Sequence, residues 1–258
     1  MPDLPFGKLL DADEYAARHD SNLGFEARII RARHNCNLRL LAATPAGSVL
    51  EVGSGPDLLA ARAVATGIDF RNWTIVEPAR AYANAAATLA KSEPRLAVVE
   101  GYMEEKIDAL QAIAPEGFDA TLLSGVLQET LAPVPLLRAV LQVMRRGARV
   151  HVSVPNGLSF HRLLAVKMGL IAAPDMVTER NKMLGQPIVY TPSSLRTLLE
   201  HVGLVRLTLE GVFFKPFTNE QMARVAAIFG DDLIDGMEEL GRDFPEHAAE
   251  ICVTGHRA

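Results

Sequence analysis

The stretch Ser48-Val-Leu-Glu-Val-Gly-Ser-Gly-Pro56 decides how the chain is read. Val49, Leu50 and Val52 are apolar and partly β-branched, as a strand covered on both faces requires. Gly53 and Gly55 let the backbone turn sharply and come close to a ligand. Asp57 is placed to cap a helix over Leu58–Val64. Strand, glycine turn and helix N-terminus make the pocket that an open α/β sheet forms at the carboxyl ends of its strands.

Two common versions of that pocket are excluded. A dinucleotide fingerprint needs G-x-G-x-x-G, and its third glycine is Leu58 here. A P-loop needs a lysine after its last glycine, and none follows. The stretch resembles motif I of the class I S-adenosylmethionine-dependent methyltransferases, roughly acidic-x-G-x-G, with Glu51, Gly53 and Gly55 in order and Ser54 between the glycines. An acid two residues before the glycine suits a ligand that carries an ammonium and a sulfonium. A tight strand–helix turn with no ligand is the plainer alternative.

Composition bounds the rest. The 258 residues allow one large α/β domain, and 49% hydrophobic with 22% charged residues is ordinary for a chain with a full core. A formal net charge of −5 argues against a broad nucleic-acid surface, which depends on phosphate neutralisation. Cys36 and Cys252 form no C-x-x-C pair, so neither a zinc signature nor a disulfide framework is expected, and a reducing, cytoplasmic setting fits. The segment Met1–Gly7 lacks the features of a signal peptide, and no uncharged apolar run of about 18 residues predicts a membrane span.

Residues 1–20 read as a loosely held lead-in. Helical spacing over Phe25–Ala42 puts Arg33 and His34 either toward the cofactor's methionine end or on a solvated basic face. Asn72–Glu77 is a second buried strand, followed by Pro78. Gly53 to Glu77 is close to the roughly 20 residues that separate a glycine turn from a ribose-binding acid. A carboxylate accepts two hydrogen bonds from a cis-diol; the alternative is a surface acid at a strand end. Ala79–Lys91 is helical, and Leu96–Glu100 is a third strand. By the resemblance, Tyr102 and Met103 flank the adenine and Glu104 accepts from its amino group; simple packing explains the first two as well. Phe118–Leu123 is a fourth strand, after which Ser124, Gly125 and Val126 line the same pocket by the resemblance. Many family members carry a run like hxLEHxxDP here. Gln128 and Glu129 stand where that run has acid and histidine, which removes the histidine's borrowed role.

Pro135–Arg146 is an amphipathic helix that Gly147 ends as a C-cap. Arg149–Val154 is a fifth strand. The run from Arg146 through Val154-Pro-Asn-Gly-Leu-Ser-Phe-His-Arg162 resembles the PGGRVxVSVPNxxSLHR segment of a group related to ubiquinone-biosynthesis, natural-product and sugar methyltransferases. Residues 156–190 form an apolar insertion with a small basic excess. It reads as a substrate lid, with membrane contact the less favoured alternative. Tyr190-Thr-Pro-Ser-Ser-Leu195 opens a capped helix. A sixth strand over Leu204–Phe214, two short helices over 218–241 and a last strand over Ala249–Thr254, antiparallel beside the fifth, complete the chain.

The expected fold is therefore a Rossmann-like α/β class I methyltransferase domain, with a seven-stranded, mostly parallel sheet, helices on both faces and a lid after the fifth strand. One domain spans 1–258: a helical lead-in (1–44), a cofactor-binding core (45–155), the lid (156–190) and a C-terminal part (191–258). The resemblance implies methyl transfer from S-adenosylmethionine, leaving S-adenosylhomocysteine, to a hydroxyl or amine of a small-molecule acceptor. His161 is the candidate base because histidine titrates near neutral pH; a lid histidine that only packs is the alternative. His151 reads as structural and His201 as solvated, and no metal is expected. A non-catalytic binding protein that kept the pocket is the second function, and a nicotinamide oxidoreductase the third.

Overall fold

The computed structural model describes residues 7–21 and 23–258. The expectation about a signal peptide falls almost wholly outside them. Seven strands, β1 (Ser48–Val52), β2 (Asn72–Glu77), β3 (Leu96–Glu100), β4 (Phe118–Ser124), β5 (Met144–Pro155), β6 (Leu204–Val212) and β7 (Glu250–Arg257), form one sheet in the order β3-β2-β1-β4-β5-β7-β6. The pairs among β1 to β5 are parallel. β7 is antiparallel to both β5 and β6, as the expected sheet requires.

All five β1 residues are buried. Leu50 and Val52 pack in a cluster with Leu110 of α5 (Ile107–Ile113), Leu137 of α6 (Pro133–Val143) and Leu195 of α9 (Pro192–His201). Val49 points the other way. It joins Trp73, Ile75, Leu59 and Ala63 of α3 (Leu59–Ala65), Ala86 of α4 (Arg80–Ala90) and Leu38 of α2 (Glu26–Ala43). The period-two alternation thus supplies both faces of the sheet with a core. β1 and its turn sit near the middle, where the strand order reverses and open sheets place their ligands.

Three local expectations are corrected. Asp57 does not cap α3; the cap position is Leu58, with no side-chain bond, and Asp57 Oδ2 lies 3.4 Å from His34 Nδ1 instead. Gly147 is no C-cap. α6 ends at Val143, Met144 pairs with Phe118 to open β5, and Gly147 (φ +76°) lies where the register jumps before Arg149 pairs with Ala120. A bulge at a strand start has the same glycine signature as a helix end. The lead-in is not loose over its second half. α1 (Ala12–Asp20) is capped by Asp11, and Tyr82 Oη donates to Asp20 Oδ1 at 2.7 Å and to Ala16 O at 3.3 Å.

The insertion carries α7 (Phe160–Lys167) and α8 (Glu179–Met183). Its base is pinned by Asn156, whose Nδ2 donates to the carbonyls of Glu246 and Ala248 while its backbone bridges to Tyr190. The α9 start is as expected: Thr191 accepts from Ser194 N and Pro192 occupies the first turn. No helix among the described residues is long and apolar enough to cross a membrane.

α10 (Asn219–Phe229) and α11 (Asp231–Asp243) close the far edge. α11 meets β6 backbone to backbone: a Cβ on Gly241 would lie 2.4 Å from Phe213 N, and one on Gly211 would lie 2.1 Å from Gly241 O. Gly236, on the same helix, has no neighbour within 4 Å of its Cβ position. Gly241→Ala should therefore cost about 1–3 kcal/mol through overpacking, whereas Gly236→Ala should stabilise by about 0.5–1 kcal/mol through helix propensity. Melting temperatures of the two variants check this; equal shifts would refute the close approach.

Candidate functional site

The site grows from the β1 turn. Gly53 (φ +76°) and Gly55 (φ +63°) hold the left-handed backbone that turns the chain back over the sheet. The turn's amides are claimed by one buried carboxylate. Glu77, at the end of β2, accepts at Oε2 from Ser54 N (2.7 Å), Ser54 Oγ (3.2 Å) and Gly55 N (3.4 Å), and at Oε1 from Ala79 N (2.8 Å). These bonds to its ionised form oppose the burial that raises its pKa. Glu51 is buried beside it and accepts from Trp73 Nε1 at 2.8 Å.

α2 supplies the facing wall. Arg33 makes a two-pronged pair with Glu250 at the start of β7, Nε–Oε2 2.7 Å and Nη2–Oε1 2.5 Å, and its Nη1 reaches Ser124 O. Asn37 Nδ2 donates to Ser124 Oγ at 2.8 Å. Gly125 (φ +75°) leaves room for this arginine, since a Cβ there would lie 2.6 Å from Arg33 Nη1. Of the two orientations open for Arg33 and His34, the structure takes the inward one; both line the pocket.

All twelve residues expected around a cofactor meet in this one pocket: Glu51, Gly53, Ser54, Gly55, Glu77, Pro78, Tyr102, Met103, Glu104, Ser124, Gly125 and Val126. Met103 is itself part of the core, 2% exposed, so it forms floor more than wall. Sequence reasoning missed the roof. Leu10, Ala12, Tyr15 and His19 close the pocket from the N-terminal segment, and Lys8 and Glu129 also line it. Nothing in the local spacing around α1 signals this; only its docking on Tyr82 brings those side chains over the turn.

Among the described residues, four carboxylates, Glu51, Glu77, Glu104 and Glu129, line the pocket against two cations, Lys8 and Arg33, and Arg33 is already paired. Burial pushes the Glu51 carboxyl up to about 8, against the pull of the Trp73 bond. Burial likewise lifts Glu129 to about 7, opposed by Lys8 and by a hydrogen bond from Tyr15. A buried pocket that crowds acids together holds protons on them; a cationic guest releases those protons.

His161 lies elsewhere. It lines a second cavity of about 520 Å³ beside the 156–190 insertion and does not line the first pocket. Burial, with Lys215 and Arg162 nearby, lowers its pKa to about 2. His19 lines both cavities. The structure also gathers Cys36, His151 and Cys252, whose ligand atoms lie within 4.8 Å of one another. No short spacing in the chain foreshadows this group. Its His151 is engaged by Thr254 Oγ1 (2.8 Å) and Cys252 Sγ (3.4 Å).

Comparison with known proteins shows the fold. No protein-family model matches the chain, and no curated protein matches it in sequence. Solved structures do match. The chain solved with the Haloferax volcanii methyltransferase activator Trm112 is 13% identical, with 95% of this chain and 97% of that one covered and a TM-score of 0.61. The plantazolicin methyltransferase BamL, solved with S-adenosylhomocysteine and a triazolic desmethylPZN analog, is 12% identical over 94% and 88%, with a TM-score of 0.53. The 4+2 cyclase SpnF is 16% identical over 88% and 81%, with a TM-score of 0.55. The chain has the Rossmann-like fold of class I S-adenosylmethionine-dependent methyltransferases.

The buried acids make a stability prediction. A carboxyl raised in the fold adds stability that is complete below its ordinary value of 4.5 and lost as pH rises through its folded value, about 7 for Glu129 and about 8 for Glu51. The depressed His161 acts only below about 6.5, where its unfolded form gains a proton. Between pH 6.5 and 8 the ligand-free protein should thus lose stability, and Glu51→Gln should flatten that slope. Thermal unfolding of both proteins at half-unit pH steps measures it; parallel slopes would show that Glu51 is ionised throughout.

Proposed function

We propose that the first pocket binds S-adenosylmethionine and that the chain transfers its methyl group to a hydroxyl or amine of a small-molecule acceptor in the second cavity. The observation that carries this reading is the charge of the first pocket. Ser54 and Gly55 amides, which a pyrophosphate would need, are spent on Glu77, and the surrounding acids favour a guest with positive charge.

The chemistry that bound S-adenosylmethionine supplies is a sulfonium-borne methyl open to in-line displacement. The protein's own residues do the rest. Glu77 Oε1, with one donor in the structure, has capacity left for a ribose hydroxyl. Glu51 faces the ammonium, and Gly53, Ser54 and Gly55 leave the backbone close to the ligand. Pro78, Tyr102 and Glu104 hold the adenosine end over Met103, and Ser124, Gly125 and Val126 border the methionine end. Glu129 is the base in this reading, because it lines the pocket and titrates near pH 7. Positioning supplies much of the barrier reduction.

The fold does not choose the reaction by itself, since the same fold carries the cyclase SpnF. A protein that binds the cofactor without turnover stays the second reading. It rests on Gln128 and Glu129 in place of the acid and histidine of related runs.

Calorimetry with S-adenosylmethionine, S-adenosylhomocysteine and NADH at pH 6 to 9 tests the reading. Both adenosyl ligands should bind and NADH should not. Affinity for the cationic ligand should rise with pH through about 7 to 8 as Glu129 and Glu51 give up protons, more steeply than for its neutral product. Glu77→Ala should weaken both roughly 10- to 100-fold, the loss of one or two bonds to a charged group. Glu129→Gln should spare the product's affinity and reduce the pH slope for the cation. Binding of NADH alone would overturn the assignment.

A further inference from the structure

The two cavities carry opposite surpluses of charge. Acids crowd the first pocket. The second is lined by Arg162 of α7, Arg180 of α8 and Lys215 of the segment between β6 and α10, against Glu26, Glu220 and Glu250. Glu250 drops out of this balance, because it takes both prongs of Arg33. Three cations are then set against two acids, and Glu220 is exposed in the first turn of α10.

The cations are not ion-paired. Among the described residues, no carboxylate oxygen lies within 4.0 Å of a side-chain nitrogen of Arg162, Arg180 or Lys215. Lys215 Nζ donates to Asn219 Oδ1 at 2.8 Å, and Asn219 Nδ2 donates to Glu26 at 2.8 Å, so an amide stands between Lys215 and Glu26. Arg162 donates to the carbonyls of Pro174 and Met176, neutral acceptors that leave its charge uncompensated. The Arg180 guanidinium has no hydrogen bond among the described residues. The three come from separate elements yet act on one another. Burial lowers the Lys215 pKa, Glu26 and Glu250 resist that, and Arg180 and Arg162 lower it further. Gathering like charges is unfavourable by itself, and an anion among them offsets the cost.

The rest of the lining is largely apolar, with Leu164, Met168, Leu170 and Ile171 of the 156–190 insertion joined by Phe217. Met168 and Leu170 are 62% and 68% exposed, large apolar side chains that the protein itself leaves uncovered. His19 lines both cavities, so the two spaces adjoin at α1.

We infer that the second cavity takes an acceptor with an apolar body and one carboxylate, the carboxylate set among Lys215, Arg162 and Arg180 and the body against the insertion. This rests on the cofactor reading of the first pocket and deepens it by naming the acceptor class. The carboxylate anchors the molecule; the group that accepts the methyl is a separate hydroxyl or amine. The Lys215 ammonium has two donors beyond its bond to Asn219, and a guanidinium can take a carboxylate with two parallel bonds. One surplus positive charge matches a monoanion. A phosphate monoester brings nearly two negative charges, and an amine salt adds to the surplus.

The experiment uses the full chain, first titrated with S-adenosylhomocysteine so that the cofactor reading is judged by itself. 1-Naphthoate, 1-naphthol, 1-naphthyl phosphate and 1-naphthylmethylammonium are then titrated into the saturated protein at pH 7.5. Naphthoate should bind about 10-fold or more tighter than naphthol or the ammonium ion, the worth of one bond between charged groups, and the phosphate no more tightly than naphthoate. Lys215→Met keeps the apolar stem. It should cut naphthoate affinity about 10-fold and leave naphthol affinity unchanged, with unchanged S-adenosylhomocysteine affinity showing that the variant is folded. Arg180 is exposed, so Arg180→Gln leaves the fold intact and should weaken naphthoate several-fold. Naphthol or the ammonium ion binding as tightly as naphthoate, the phosphate binding more tightly, no probe binding, or naphthoate affinity indifferent to both substitutions overturns the inference. Should S-adenosylhomocysteine fail to bind, the first-pocket reading falls, and the same series on the ligand-free chain still decides the cavity's preference.

Discussion

The Glu77 carboxylate gathers three bonds from the Gly53–Gly55 turn and a fourth from Ala79. It joins the carboxyl ends of β1 and β2, and so sets the shape of the turn on which the pocket is built. A buried carboxylate is costly unless several donors face it, and here the backbone supplies most of them. The turn's Ser54 and Gly55 amides are therefore unavailable to phosphates.

A second tie fixes the opposite wall. Arg33 and Glu250, from α2 and β7, are separated by 217 residues in the chain. Their side chains are 12% and 3% exposed, deep enough that either without the other would be a stranded charge. The pair holds α2 over the ends of β4 and β5. Arg33 lines the first pocket and Glu250 the second cavity, so the pair stands between the two. The antiparallel β7 thus positions the site as well as filling the sheet.

The lid and the N-terminal helix complete the enclosure from outside the core. α1 is held by Tyr82 and Asp13, and the insertion by Asn156 and Tyr190. α1 adds a small apolar contact, Ala12 and Ala16 against Ala79 and Tyr82. Attachments at a few polar points are local and of modest strength.

The sequence by itself determined the seven strands, through their period of two, and the turn at Gly53 and Gly55, through the positive φ it requires. Tyr102, Met103, Glu104, Ser124, Gly125 and Val126 were placed in the pocket by the likeness of their runs to a known family, and β5 begins five residues before the expected Arg149. Tertiary structure decided the remainder. Asp57 turned to His34 because a folded partner competed with the cap; Gly147 served a bulge because its neighbours paired with β4. Tyr15 and His19 came to the pocket through the docking of a remote helix. His161 was carried into a separate, desolvated cavity that changed its titration. In each case the deciding neighbour is distant in the chain, and a contact of that kind leaves no period or motif to read.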